Sequence, residues 1–255
     1  LPISHCVHRG ASLEYGLIQE RGIKCCYHGM VFDVDGTCLN APFPKGEEAE
    51  AQKYACSIQQ GAYKAFERNG LVFAYMGPPD KEPPFPEWES DFTVAPSDEL
   101  VPYSNFQHCN WLQVQDNAAD NFHTAELHAA KNVVGGHFQG TTFDEVGAPT
   151  MEVHPDMHFV PIHGGRGLAC SGARRVNNDK LFIRVQHQVL PNLSLHAYTS
   201  EDGSNKKLFS RFHIIRWTVP VDDFNSKMIG WRVMGPGIDT RGIGQKELVG
   251  YRSEE

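Results

Sequence analysis

The chain has 255 residues, among them 13 histidines and seven cysteines, and carries a formal net charge of −8. That length buries one large core or two modest ones, the negative balance argues against a general nucleic-acid binder or a surface for anionic membranes, and no apolar run approaches the ~20 residues that span a bilayer. The cysteines run irregularly from Cys6 to Cys170 and do not form the dense, even set of a disulfide framework, so reduced thiols in the cytoplasm are expected.

In chain order, the first feature is a pair of mixed ligand groups, Cys6-x-His8 and Cys25-x-x-His28, with Cys26 as a rival because Cys26-x-His28 repeats the first arm. Two thiolates and two imidazoles suit Zn²⁺, and they equally suit a [2Fe–2S] cluster with two ligands on each iron. A zinc finger keeps its ligand types apart, whereas here each arm is mixed. The intervening residues read as a strand-turn-strand excursion and not as a finger helix. "VFDVDGT" then ends in Asp35-Gly36, a turn; its glycine falls too early for a calcium loop. "AYKAFER" and "LVFAYM", joined by Asn69-Gly70, predict a type I′ hairpin. The proline-rich stretch Gly77 to Trp88 reads as a linker between a domain over 1–88 and another over 89–255.

A single helix is expected from about Asn110 to Lys131, carrying Asp116, Asp120, His123 and His128. At about 100° per residue, Asp116, Asp120 and His123 lie within about 60° of one another, and His128 lies about 140° from His123. The helix must therefore end or distort before His128 if both histidines bind one metal. Several β-rich runs follow, among them "KLFIRVQHQVLPNLSLHAYT" and "KMIGWRVM", with turn-like connections that suit an antiparallel sheet. The fold class is α+β: a mostly β first domain, then an antiparallel sheet with helices, of helix-grip type. Gly235 to Gly244 reads as a plain loop, and Asn192-Leu193-Ser194 is a sequon without meaning in a cytoplasmic protein. The chain starts at Leu1 with no basic-then-apolar leader before the first motif, so a removed leader stays open while nothing visible argues for export.

"CVHRGASL…CCYHGMVFDVDG" resembles the Rieske segment of ring-hydroxylating Rieske non-heme iron oxygenases, most closely the phthalate dioxygenase-like branch. The resemblance implies a [2Fe–2S] cluster on Cys6, His8, Cys25 and His28, and it prefers Cys25 over Cys26. The family usually has proline where Val7 stands and tryptophan where Met30 stands, and the resemblance places the latter position near the cluster surface, where a partner docks. "QVQDNAADNFHTAELH" resembles the family's mononuclear iron motif. It implies His123 and His128 as Fe(II) ligands and Asp120 as the aspartate that links His123 to the Rieske histidine of a neighbouring subunit, matching His28 here. A cyclic homotrimer follows, with Asp116 supporting the helix. The third, carboxylate ligand is expected outside this chain; Asp222, Asp223 and Asp239 lie in turn-like contexts.

The implied activity is that of a terminal oxygenase. Such an enzyme takes electrons from a reductase (flavin and plant-type [2Fe–2S], NAD(P)H-dependent) or a ferredoxin. It uses O₂ to monohydroxylate, dihydroxylate or demethylate an aromatic, acidic substrate. Two other classes stay open: an electron-transfer Rieske protein with a non-catalytic ligand-binding domain, and a zinc-stabilised structural protein. Among candidate pocket residues are Met157, His163, His187 and His196. Arg184, alternating inside "LFIRVQH", is the candidate clamp for a substrate carboxylate, while Arg174 and Arg175 are expected at the surface. Cys38, Cys56, Cys109 and Cys170 are expected to be buried thiols.

Overall fold

The computed structural model describes residues 4–85, 94–127, 152–176, 180–201, 207–209 and 212–234. The chain divides into two compact units, Leu1–Arg68 with Val72–Pro84 and Asn69–Leu71 with Phe85–Glu255.

The first unit contains a four-stranded antiparallel sheet in the order β1 (Leu17–Ile18), β2 (Ile23–Lys24), β3 (Val31–Phe32), β4 (Cys38–Asn40), followed by helix α1 (Glu48–Cys56). Its core gathers Cys6, Leu13, Cys25, Met30, Phe32, Cys38, Ala41 and Ala55. The Asp35-Gly36 turn forms as expected, with Gly36 at φ +86 and its N–H donating to the Asp33 carbonyl (2.9 Å). A Cβ at Gly36 would lie 1.9 Å from the Gln60 carbonyl oxygen, so glycine is required by both conformation and space. Strands β5 (Ala65–Arg68) and β6 (Leu71–Ala74) form the predicted hairpin, with Asn69 and Gly70 both at positive φ (48 and 78) as a type I′ turn needs.

In the second unit, seven antiparallel strands run β7 (Glu99–Gln107), β14 (Ser226–Met234), β13 (Ile214–Pro220), β11 (Leu193–Glu201), β10 (Lys180–Val189), β9 (Gly167–Val176), β8 (Asp156–Ile162); β12 (Lys207–Phe209) pairs with β11. Side chains alternate across a sheet, so the pairing register sorts them by face. Leu195 pairs with Ile215, which pairs with Trp231, and Val233 follows on the same side. All four are buried, and they make an apolar face. The other face is polar: Arg184 pairs with Gly172, Gln186 with Cys170 and His196, and Ser194 with Arg216. Gln186, His196, Ser194 and Thr218 are buried there.

Helix α2 (Trp111–Ala119) covers part of this polar face. Asn110 caps it, its side chain accepting from Leu112 N–H (2.9 Å). The Gln115 side-chain oxygen accepts from Ser194 Oγ (2.8 Å) and Thr218 Oγ1 (3.0 Å), which fixes the helix to β11 and β13. The predicted single helix to Lys131 is corrected here. It stops at Ala119 because Asp120 is extended (φ −86, ψ 119) and its carboxylate accepts from Phe122 N–H at 2.6 Å, a local bond that competes with helical hydrogen bonding. A separate short helix, α3 (Thr124–Leu127), follows.

His213 N–H donates to the His196 carbonyl and its own carbonyl accepts from Val233 N–H, both at 2.9 Å, so it is knitted between strands. Burial, then the charges of Arg232 and Arg184, push its imidazole down to about 3, and His196 is pushed in the same direction by burial and by Arg216 and Arg184. The folded unit therefore refuses a proton that the unfolded chain accepts below an ordinary histidine value of 6.5. Stability rises with pH across that interval, because the unfolded state binds more protons. Denaturant midpoints for the second unit are expected to fall as pH drops from about 6.5 toward 4, with a shallower fall in His213→Asn; an unchanged slope in that variant would remove His213 as a cause.

Candidate metal centres

The two ligand loops of the first unit are built on one frame. Cys6 N–H donates to the Ala11 carbonyl (2.8 Å) and Gly10 N–H to the Cys6 carbonyl (2.8 Å). Cys25 N–H donates to the Met30 carbonyl (2.7 Å) and Gly29 N–H to the Cys25 carbonyl (3.0 Å). Gly10 and Gly29 both take positive φ (69 and 75), which lets each loop turn back on itself. In this frame Cys6 corresponds to Cys25, not to Cys26. Burial agrees, since Cys25 is 2% exposed and Cys26 lies at the surface. His8 and His28 are exposed and lie edge-to-face with ring centroids 4.9 Å apart. The thiols thus form an inner pair and the imidazoles an outer pair.

Burial pushes the Cys6 thiol up, opposed by the His8 backbone N–H and reinforced by the adjacent Cys25 thiol. A cation or cluster between the two sulfurs would relieve that by taking them as thiolates. Among the described residues no three His, Cys, Asp or Glu side chains converge on a single ion. A two-iron cluster asks for two protein ligands per iron, and an inner pair of thiols with an outer pair of imidazoles divides in that way. Gln60, which the sequence did not mark, grips the first loop from both sides: its Oε1 accepts from Val7 N–H (2.8 Å) and its Nε2 donates to the His5 carbonyl (3.0 Å).

Met30 corrects another expectation. It is 2% exposed and packs in the core beside Phe32, not at the cluster surface. The positive φ of Gly29 and the Cys25–Met30 bond turn it inward, so Met30 offers nothing to a docking partner. Besides His8, His28 and Cys26, the exposed side chains of the two loops include Val7, Arg9 and Tyr27, and the Tyr27 ring centroid lies 3.8 Å from that of His28.

In the second unit, Asp120 and His123 meet through the turn after α2 and not along a helical stripe. Asp120 Oδ2 lies 3.1 Å from His123 Nδ1. Burial would raise the Asp120 carboxyl, but the Phe122 N–H and the His123 ring outweigh it and hold the group below its ordinary value. An ionised Asp120 draws the imidazole proton to Nδ1, the tautomer in which Nε2 carries the lone pair. The carboxylate stays 45% exposed. His128 lies outside the described residues, as does Asp239. Asp116 is exposed on α2 and is not drawn to His123; it borders a cleft of about 1050 Å³ that Gln115, Leu168, Gln188 and Leu190 also line. The Asp222 carboxylate is engaged in its own turn, accepting from Phe224 N–H (2.8 Å) and Asn225 N–H (2.7 Å).

The arginines divide differently from expectation. Arg175 is exposed, but Arg174 is fully buried, because adjacent strand residues face opposite ways. Arg184 stands on the polar face, where burial and the charges of Arg174 and Arg216 pull it down to about 10, still protonated at neutral pH. His196 and Met157 share that face, whereas His187 belongs to the opposite one and touches Phe212 (ring centroids 4.7 Å). His163 sits in the turn after β8 with φ 52. Cys38 and Cys170 are buried, Cys109 is partly exposed, and Cys56 is at the surface near the end of α1.

A family model of the Rieske [2Fe–2S] domain matches residues 3–62. The chain is 41% identical over 253 residues to the tert-butanol monooxygenase / tert-amyl alcohol desaturase oxygenase subunit of Aquincola tertiaricarbonis, covering 96% of this chain and 50% of that one. It is 35% identical over 230 residues to the phenoxybenzoate dioxygenase subunit alpha of Ectopseudomonas oleovorans, covering 86% and 51%. The chain thus spans about half the length of these curated relatives. Among solved structures, dicamba monooxygenase bound to dicamba superposes with a TM-score of 0.65 at 20% identity, over 93% of this chain and 67% of that one, a likeness of fold.

The shared loop frame separates the neighbouring cysteines. Cys25→Ser is expected to abolish the visible absorption and EPR signal of a histidine-ligated [2Fe–2S] cluster, while Cys26→Ser keeps both; the reverse pattern would reassign the ligand.

Proposed function

Because the chain belongs to the Rieske non-heme iron oxygenases, in their phthalate dioxygenase-like branch, we propose that it acts as a terminal oxygenase, hydroxylating or oxidatively demethylating an aromatic acid with O₂ and electrons from a separate reductase or ferredoxin. The observation that carries this reading is the Asp120–His123 hydrogen bond (3.1 Å), which prepares one imidazole as a metal ligand in a chain whose first unit closes two cluster loops. The cluster, on Cys6, His8, Cys25 and His28, supplies one-electron transfer, and Fe(II), on His123 and His128, supplies the chemistry with O₂.

The residues of this chain do the positioning. Cys6 and Cys25 hold the buried side of the cluster and leave His8 and His28 at the surface, where a partner reaches them. Asp120 holds the His123 Nδ1 proton with one oxygen. Its exposure leaves it accessible to His28 of a neighbouring copy in a homotrimer. Arg184, a charged group on the polar face, supports an acidic substrate, since a guanidinium binds a carboxylate through two parallel hydrogen bonds. The phenoxybenzoate enzyme among its relatives bears an aromatic acid in its name, and the tert-butanol enzyme a neutral alcohol.

Asp120→Asn is expected to leave cluster and iron content unchanged and to reduce coupled O₂ consumption by at least about 100-fold, in keeping with the loss of a positioned proton and electron route. Normal coupled turnover would refute the bridge. Arg184→Gln is expected to raise KM for carboxylated aromatic substrates by about tenfold or more, the size of one charge-assisted bond, while sparing neutral ones. Equal effects on both classes would remove Arg184 from substrate binding.

A further inference from the structure

The turn that carries Asp120 and His123 is gripped from β9 by a side chain that belongs to neither metal motif. Arg174 is fully buried; its Nε donates to the Val153 carbonyl (2.9 Å) and its Nη2 donates to the Asn121 carbonyl (2.6 Å) and to Thr124 Oγ1. Thr124 Oγ1 in turn donates to the Asn121 carbonyl (2.6 Å), closing a triangle. Asn121 directly follows Asp120 and Thr124 directly follows His123, so one guanidinium nitrogen brackets the pair.

Two residues earlier on the same face of β9, Gly172 leaves room for that turn. A Cβ there would lie 2.9 Å from Asn121 Nδ2 and 3.0 Å from Asn121 Cβ. Asn121 is itself 0% exposed. The strand thus presents a cation at one position and open space at the next position on that face, and both match the same short segment. The segment lies between α2 and α3, and its Asn121 carbonyl takes its donors from side chains, the Thr124 hydroxyl and Arg174.

We infer that Arg174 is a positioning residue for the iron site. Acting through the Asn121 carbonyl and the Thr124 hydroxyl, it sets the Asp120–His123 hydrogen bond and with it the direction of His123 Nε2. This rests on the reading of His123 as an iron ligand, and Arg174 itself touches neither iron nor substrate.

The test is anaerobic Fe(II) titration of the intact protein, with [2Fe–2S] content read separately by absorption and folding by circular dichroism. Thr124→Val keeps Arg174 and the core volume but removes the hydroxyl. It is expected to raise the Fe(II) Kd about 10- to 100-fold, the usual effect of losing support behind a metal ligand. Cluster content and fold should not change, and Thr124→Ser should restore wild-type affinity. Gly172→Ala, which presses on Asn121 and leaves every Arg174 bond partner present, is expected to weaken Fe(II) in the same direction. His123→Ala serves as the control and should lose the site. Wild-type Fe(II) affinity in Thr124→Val, or a loss that Thr124→Ser does not restore, would overturn the role of Arg174 while His123→Ala still loses iron. Undiminished affinity in His123→Ala would instead overturn the iron-site reading, and the inference with it.

Discussion

The candidate iron site depends on a buried cation that binds main chain. Arg174 gives up water for the Val153 and Asn121 carbonyls and the Thr124 hydroxyl. Charge-assisted bonds of this kind are worth roughly twice neutral ones, and they offset part of a desolvation cost that lowers the Arg174 pKa. The exchange has structural value because a helix interrupted by its own aspartate takes the main chain around Asp120 and His123 out of regular helix. The sheet adds a charged donor to the Thr124 hydroxyl, and the His123 turn is thereby tied to β9.

The first unit solves a different problem with repetition. Two loops with the same pair of backbone bonds place two sulfurs inward, although the histidine stands second after the cysteine in one arm and third in the other. Equal frames with unequal histidine positions make the two outer imidazoles inequivalent: His28 has the Tyr27 ring against it, and the first arm has Val7 at its centre. Gln60 adds asymmetry by bracing only the first loop.

Much of this was legible in the residues. Asn69-Gly70, Asp35-Gly36 and the β-rich runs produced the turns and strands they predict, because turn chemistry and period-two patterning act locally. The four candidate ligands of the first loops stand out by residue type and spacing alone. The choice between Cys25 and Cys26 gains a physical reason only from the backbone bonds. The helix over Asn110 to Lys131 was overextended because periodicity is blind to an aspartate that bonds the N–H two residues on. Arg174 was misplaced at the surface, yet "RR" within a strand already requires one arginine to face inward. What sequence could not tell is which of the two, since that follows from pairing with Phe182 across the sheet. Gln60, Gln115 and Gly172 carried no signal, because their partners lie far away in the chain.

The two-faced sheet also constrains how the chain reaches its folded state. A slip of one residue between β10 and β11, or between β11 and β13, exchanges the faces of the slipped strand. Arg184 or Arg216 would then stand among Leu195, Ile215 and Trp231, and an uncompensated buried charge costs about 3–5 kcal/mol. A sheet with two apolar faces would accept such a slip at little cost. Here Arg184 and Arg216 on the polar face penalise such a slip, so the charged residues specify strand register as well as the chemistry of that face.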